Sequence, residues 1–344
     1  MKDAFTKVVG NRALCRSLAD DVLERKLPHA FILEGPTGSG KHTIAKMTAA
    51  ALLCTEHNDL AAPIPCLQCD ACRKVLEDKC PDLIFVHREE DRQSIGVDTV
   101  RFMRDDVRFL PNGDGAKIYV IEEADKMTTE AQNAFLLTLE EPPPYVFFLL
   151  LCESASSLLE TIKSRAPILR TQPLSIEEID RYLCENDRRA AQMKLADPST
   201  YRELLVSSHA GIGPALDYLD QRKFEPVKRL RASTVELISA AVNRKSARPI
   251  VSLLMSMPAK RDALLEHLQM LSLAVRDLLL LKKSDQAPLL FFVDRDEAID
   301  LCDRTTMTAL YRLYEAIQTA TSEIKMNANV RLTLTKMALS AELI

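Results

Sequence analysis

The sequence lacks an excess of charge of either sign: 45 lysines and arginines face 49 aspartates and glutamates, a net charge of −4 over 344 residues. That balance excludes a globally basic nucleic-acid coat, so any contact with DNA is expected to be regional. No run of about 18 uncharged apolar residues occurs. The start, Met1-Lys2-Asp3-Ala4-Phe5-Thr6-Lys7, lacks the apolar core, about 7–15 residues long, of a secretory leader. Internal repeats and low-complexity tracts are missing too. A cytoplasmic location is therefore expected. Nine cysteines, an odd number, do not read as a disulfide framework in such a chain. There a tight cysteine cluster points to metal, and scattered cysteines point to burial as small hydrophobes. With 47% hydrophobic and 27% charged residues the composition is that of a globular protein. Its length suggests two or three domains of about 150 residues.

Leu14, Leu18, Val22 and Leu23 recur at helical spacing within Asn11 to Lys26, and Pro28 closes that segment. Ala30 to Leu33 then reads as a strand, followed by a glycine-rich turn and a helix from Thr43 to Leu53. Apolar runs at Leu83–Val86, Ile118–Ile121 and Val146–Leu151 alternate with helical stretches. This order predicts a parallel α/β sheet covered on both faces. Beyond Pro173 strand-like runs become rare and amphipathic helices dominate. The charged stretch Asp220 to Pro226 reads as a second boundary, and Leu264, Leu268, Leu271 and Leu278 form a later apolar stripe. The expected divisions are 1–172, 173–222 and 223–344.

Gly35-Pro36-Thr37-Gly38-Ser39-Gly40-Lys41 matches the phosphate-loop pattern G-x-x-x-x-G-K, in its required place between strand and helix. Glycines let backbone N–H groups approach an anion, the helix N-terminus favours negative charge, and Lys41 reaches terminal phosphates. The next position needs a serine or threonine hydroxyl for magnesium. Here it is His42, a poor partner for that hard cation, and Thr43 comes one residue late. The acidic strand end departs as well. Glu122 stands where aspartate is expected, and Glu123 is placed to orient an attacking water. These changes weaken magnesium and ATP or ADP binding. The competing reading is an inherited loop shape beside a solvated strand end.

Cys66-x-x-Cys69-x-x-Cys72, with Cys54 upstream, offers four thiolates for a closed, structural zinc site, set in an insertion of about 54–80. Free or redox-active thiols are the alternative. His57 is a substitute ligand and Cys80 a spare, while Cys15, Cys152, Cys184 and Cys302 are expected to be packing residues.

Phosphate loop, cysteine insertion, acidic strand and Asn133-Ala134-Phe135-Leu136-Leu137-Thr138-Leu139-Glu140-Glu141-Pro142-Pro143 occur in an order that resembles bacterial clamp-loader subunits of the AAA+ superfamily. Within that family the chain is more similar to the delta prime subunits of DNA polymerase III than to the gamma/tau subunits. The resemblance implies a P-loop AAA+ domain with a zinc-binding insertion, a small helical lid and an all-α collar. It implies a hetero-pentameric ring with gamma/tau and delta subunits, a sliding clamp, and primed DNA reached through the assembly. Ser164-Arg165 resembles the family's Ser-Arg-Cys motif, with Ala166 replacing cysteine. Arg165 is then a catalytic finger acting in trans on ATP held by a neighbour. Cys152-Glu153 falls at the sensor position and Pro214 at the lid position where an arginine touches phosphate. Together with His42 and Glu122, these departures imply weak or absent ATPase activity of the chain's own, in a component of a DNA-directed DNA polymerase. Arg101, Arg104, Lys126 and Lys163 are candidate phosphate contacts, against the plainer reading of a solvated face.

Overall fold

The computed structural model describes residues 5–56, 63–88, 92, 94–113, 115–208, 211–243, 247–258 and 260–341. Two compact units divide it, residues 1–182 and 183–344.

In the first unit, strands β1 (Ala30–Glu34), β2 (Leu83–Val86), β3 (Lys117–Ile121), β4 (Val146–Cys152) and β5 (Ile168–Arg170) form one sheet in the order β2-β3-β4-β1-β5. Every pairing is parallel, as the doubly apolar runs require. Side chains alternate between faces with the strand period of two. Phe31, Leu33, Val120 and Leu149 join one core with α1 (Arg12–Leu23), α2 (Lys41–Leu53) and α3 (Asp70–Leu76). Ile32, Tyr119, Phe148 and Leu150 join the other with α4 (Val97–Asp106), α5 (Thr129–Glu140) and the short α6 (Glu160–Lys163). The four strands read from apolar runs are all present. β5 is an addition, an edge strand paired only with β1 among the described residues.

Crossovers between parallel strands leave a crevice at their carboxyl ends, where the order of strands switches sides. β1 is that switch, with β4 on one flank and β5 on the other. The glycine loop leaves its carboxyl end and enters α2. The fold thus places the loop where an open parallel α/β sheet holds a ligand.

Helix α7 (Ile176–Asn186) crosses the division of the units. The second unit continues with α8 (Arg188–Ala196), α9 (Pro198–Ser207), α10 (Ile212–Tyr218), α11 (Gln221–Asn243), α12 (Ala247–Met255), α13 (Arg261–Leu281), α14 (Arg295–Asp303), α15 (Met307–Lys325) and α16 (Val330–Ser340). Among the described residues it contains no strand. Asp220 to Pro226 is not a loop: it opens α11, with the Asp220 carboxylate accepting the Arg222 N–H at 3.0 Å. Leu264, Leu268, Leu271 and Leu278 all face the core, as their spacing predicts. No described helix is long and apolar enough to cross a membrane.

Candidate functional site: a glycine loop, an exposed arginine and a cysteine cluster

At the end of β1 the Gly35 N–H donates to the Cys152 carbonyl of β4 at 3.2 Å. A Cβ on Gly35 would lie 2.0 Å from the Thr171 hydroxyl, so no side chain fits. Gly38 and Gly40 adopt φ of 80° and 86°, the left-handed region that glycine reaches without strain. Gly40 caps α2 and turns the unpaired N–H groups of its first turn toward the loop. The ammonium of Lys41 donates to the carbonyls of Gly35 and Pro36, at 2.6 and 2.9 Å, and burial pulls its pKa down.

Asn11, Thr171 and Glu153 hold this loop. Asn11, at a left-handed φ of 48°, donates to the carbonyls of Ser39 and Gln172 and accepts the Gln172 N–H at 2.7 Å. Thr171 bonds the buried Ser39 hydroxyl at 2.7 Å. Glu153 accepts from the Thr37 hydroxyl, which sets a carboxylate against the front of the loop. Asn11 stands at the N-cap position of α1 but makes no side-chain capping bond there, because its amide is spent on Ser39 and Gln172. Thr171 acts across the fold and left no local signal, while Glu153 stands at the sensor position that the resemblance implies.

His42 and Glu122 come together. Nε2 of the imidazole lies 3.2 Å from the Glu122 carboxylate, and the ring stacks on Phe85 at 5.0 Å. Thr43 is exposed on the same helical turn. Glu123, at a left-handed φ of 49°, pairs with Arg88 at 2.7 Å and with Lys126. Burial pushes its pKa up, but the two cations outweigh it and hold the carboxyl below its ordinary value. Cys152 is buried, and desolvation raises its thiol to about 12, where it neither ligates nor donates readily.

Arg165 follows α6 and is exposed. Its guanidinium meets Glu140 at 3.0 Å and the Thr161 carbonyl at 3.1 Å. Ala166 beside it is fully buried, so the residue replacing cysteine is a packing residue. Gln132, also unnoticed in the sequence, positions this corner: its amide donates to the Met127 and Ser157 carbonyls and accepts the Leu159 N–H at 2.8 Å. The Leu-Glu-Glu-Pro-Pro block therefore contributes Glu140 as the arginine's partner. The candidate DNA contacts all sit beside carboxylates of their own chain: Arg101 with Asp98, Arg104 with Asp105, Lys126 with Glu123 and Lys163 with Glu160. Pro214 lies in the first turn of α10, in the second unit.

Cys54, Cys66, Cys69 and Cys72 converge so that their sulfurs all lie within 4.8 Å of one another. Thiolates around zinc at about 2.3 Å define tetrahedral edges of about 3.8 Å. The Cys66–Cys72 separation is 3.9 Å. Cys54 ends α2, and Cys69 caps α3 by accepting the Cys72 N–H. The Cys66 sulfur accepts the Cys69 N–H at 3.3 Å. These bonds favour thiolates: although burial raises the Cys69 thiol, the N–H of Cys72 and the contacts of Thr55 bring it to about 6. The donor set fits a structural zinc ion with no open position. His57 lies outside the described residues, and Cys80 is not in the cluster. Cys15 and Cys302 are buried as expected of packing residues.

The family model described as DNA polymerase III, delta subunit, matches residues 10–175. DNA polymerase III subunit tau of Bacillus subtilis is 30% identical over 242 residues, covering 70% of this chain and 41% of that protein. Subunit tau/gamma of Haemophilus influenzae is 32% identical over 217 residues, covering 63% and 30%. The chain thus spans less than half the length of these curated relatives. A gamma subunit-related protein of Thermotoga maritima is similar in structure, with 18% identity, coverage of 95% and 98%, and a TM-score of 0.43. Over residues 10–175, about half of the chain, it is similar to the delta-subunit-like AAA+ clamp-loader family of DNA polymerase III, and that segment carries the parallel sheet and the glycine loop.

Proposed function

We propose that the chain is a delta prime-type clamp-loader subunit. It serves a neighbour's ATP site and does not hydrolyse ATP itself. The observation that carries this reading is the occupation of its own catalytic carboxylates. Glu122 is engaged by His42, and Glu123 is held between Arg88 and Lys126. A carboxylate with a lowered pKa and two cationic partners is a poor base for water, and the hydroxyl expected on magnesium is missing.

Arg165 has the opposite character. An exposed arginine–carboxylate pair is worth about 0–1 kcal/mol, so turning Arg165 from Glu140 toward a neighbour's phosphates costs little. There its guanidinium would neutralise charge developing in phosphoryl transfer. Zinc bound by Cys54, Cys66, Cys69 and Cys72 would cross-link the end of α2 to α3 and supply no catalysis. Residues 173–222 would form the lid and 223–344 the collar. Partners would be gamma/tau and delta subunits in a hetero-pentameric ring, the sliding clamp, and primed DNA through the assembly, in the cytoplasm at the replisome.

The second reading, a gamma/tau-type subunit with its own ATPase, is favoured by the similar proteins, which are tau and gamma subunits. Turnover by the isolated chain separates the two. We expect none above background, with Glu123→Gln unchanged. Clear turnover abolished by Glu123→Gln would establish the second reading.

A further inference from the structure

The second unit holds a pocket of about 300 Å³ between α11, α13 and the turn that follows α12. Leu230, Leu237, Leu253 and Met257 supply its apolar wall, and His267 of α13, only 5% exposed, supplies an aromatic ring.

The hydrogen bonds around that ring fix what it lacks. Ser233 gives its only hydroxyl proton to the Leu230 carbonyl at 2.9 Å, so toward the imidazole Nε2, at 3.3 Å, its oxygen can only accept. Nε2 therefore carries the ring proton. Nδ1 is left as a bare acceptor, buried and without a partner among the described residues. Burial lowers the pKa of His267, which keeps the ring neutral at neutral pH. The exposed Ser256 repeats the pattern: its hydroxyl donates to the Leu253 carbonyl at 2.7 Å, and only acceptor capacity remains. Arg229, the cation in the lining, is engaged by Glu225 at 3.3 Å. The pocket thus offers acceptors and an apolar wall. A carboxylate or phosphate finds no free donor there, whereas an unsatisfied buried acceptor is costly until a donor reaches it.

We propose that this pocket binds a small, neutral, apolar molecule bearing an N–H or O–H donor, which packs on the leucine and methionine wall and donates to Nδ1 of His267. Its volume lies at the lower end of the range for ligand pockets and suits a single ring system. The flexible Met257 thioether lets the wall adapt to a guest and favours an aromatic one. The site belongs wholly to the second unit and is independent of the clamp-loader reading.

Ligand-observed NMR titration of the full chain with indole, N-methylindole and benzoate tests it. Indole, which has a donor and no comparable acceptor, should bind with a Kd of about 1 mM or tighter. N-methylindole keeps the ring and loses the donor, and should bind about tenfold more weakly. Benzoate should not bind. His267→Leu keeps an apolar wall and removes the acceptor, so indole and N-methylindole should then agree within about twofold. In nitrogen spectra of the wild-type imidazole, Nδ1 should resonate as the unprotonated atom and shift when indole is added. Failure of indole to bind at about 10 mM overturns the proposal. So does wild-type binding of N-methylindole or benzoate as tight as that of indole, or discrimination that persists in a folded His267→Leu chain.

Discussion

Cysteine identity matters most where four sulfurs meet. Cys72 is fully buried, and burial pushes its thiol far up, a cost that bound zinc would remove by taking the thiolate. Protein purified without added metal should contain about one zinc per chain by elemental analysis. Cys72→Ser should lose most of it and lower the melting temperature. A metal-free chain with four freely titrating thiols would refute the site. Much of this was legible, because ligand spacing is local: Cys66, Cys69 and Cys72 announce their geometry within seven residues of sequence. The phosphate loop was legible for the same reason. Asn11, Gln132 and Thr171 were not, since their meaning lies in partners far along the chain, Asn11 and Gln172 being 161 residues apart.

Elements depend on a few buried polar anchors. Asp277 in α13 is fully buried and accepts the N–H groups of Leu290, Phe291 and Phe292 at 2.7–3.2 Å. Arg231 of α11 grips the Phe291 carbonyl from the other side. Asp277→Ala strands three N–H donors, two of them buried, and should cost the second unit about 3 kcal/mol in urea unfolding, with Asp277→Asn costing less. In the first unit, the buried Lys117 and the Tyr119 hydroxyl hold the Asp106 carboxylate at 2.9 and 2.7 Å. Burial pushes the Asp106 pKa up, but these partners bring it below its ordinary value. Its contribution to stability is therefore present above the unfolded value of about 3.9 and lost as pH falls below it. Asp106→Asn should flatten the acid limb of a stability–pH profile, and an unchanged slope would contradict the assignment. Strands β1 to β4 were readable because both faces are buried, which makes their sequences uniformly apolar. β5 was not: Ile168, Leu169 and Arg170 are few and only partly buried, with Arg170 paired to Glu34 across the edge. The stretch from Asp220 to Pro226, expected as a domain boundary, lies at the start of α11. Pro226 falls inside that helix, at its sixth residue.

For the whole molecule, near-neutral charge accords with work done mainly between protein surfaces. The basic residues first considered for DNA are locally compensated. The proposed function rests on an asymmetry: Glu122 and Glu123 beside the glycine loop are engaged by side chains of their own chain, while Arg165 stays exposed beside a weak surface partner. A clamp loader reconstituted with this chain and the gamma/tau and delta subunits proposed as its partners tests that asymmetry most directly, by comparing ATP turnover of wild type and Arg165→Ala. Turnover should fall by about a thousandfold at the site Arg165 serves, as for other arginine fingers, while the ring still assembles. Undiminished turnover in a fully assembled complex, resolved for that site, would contradict the account.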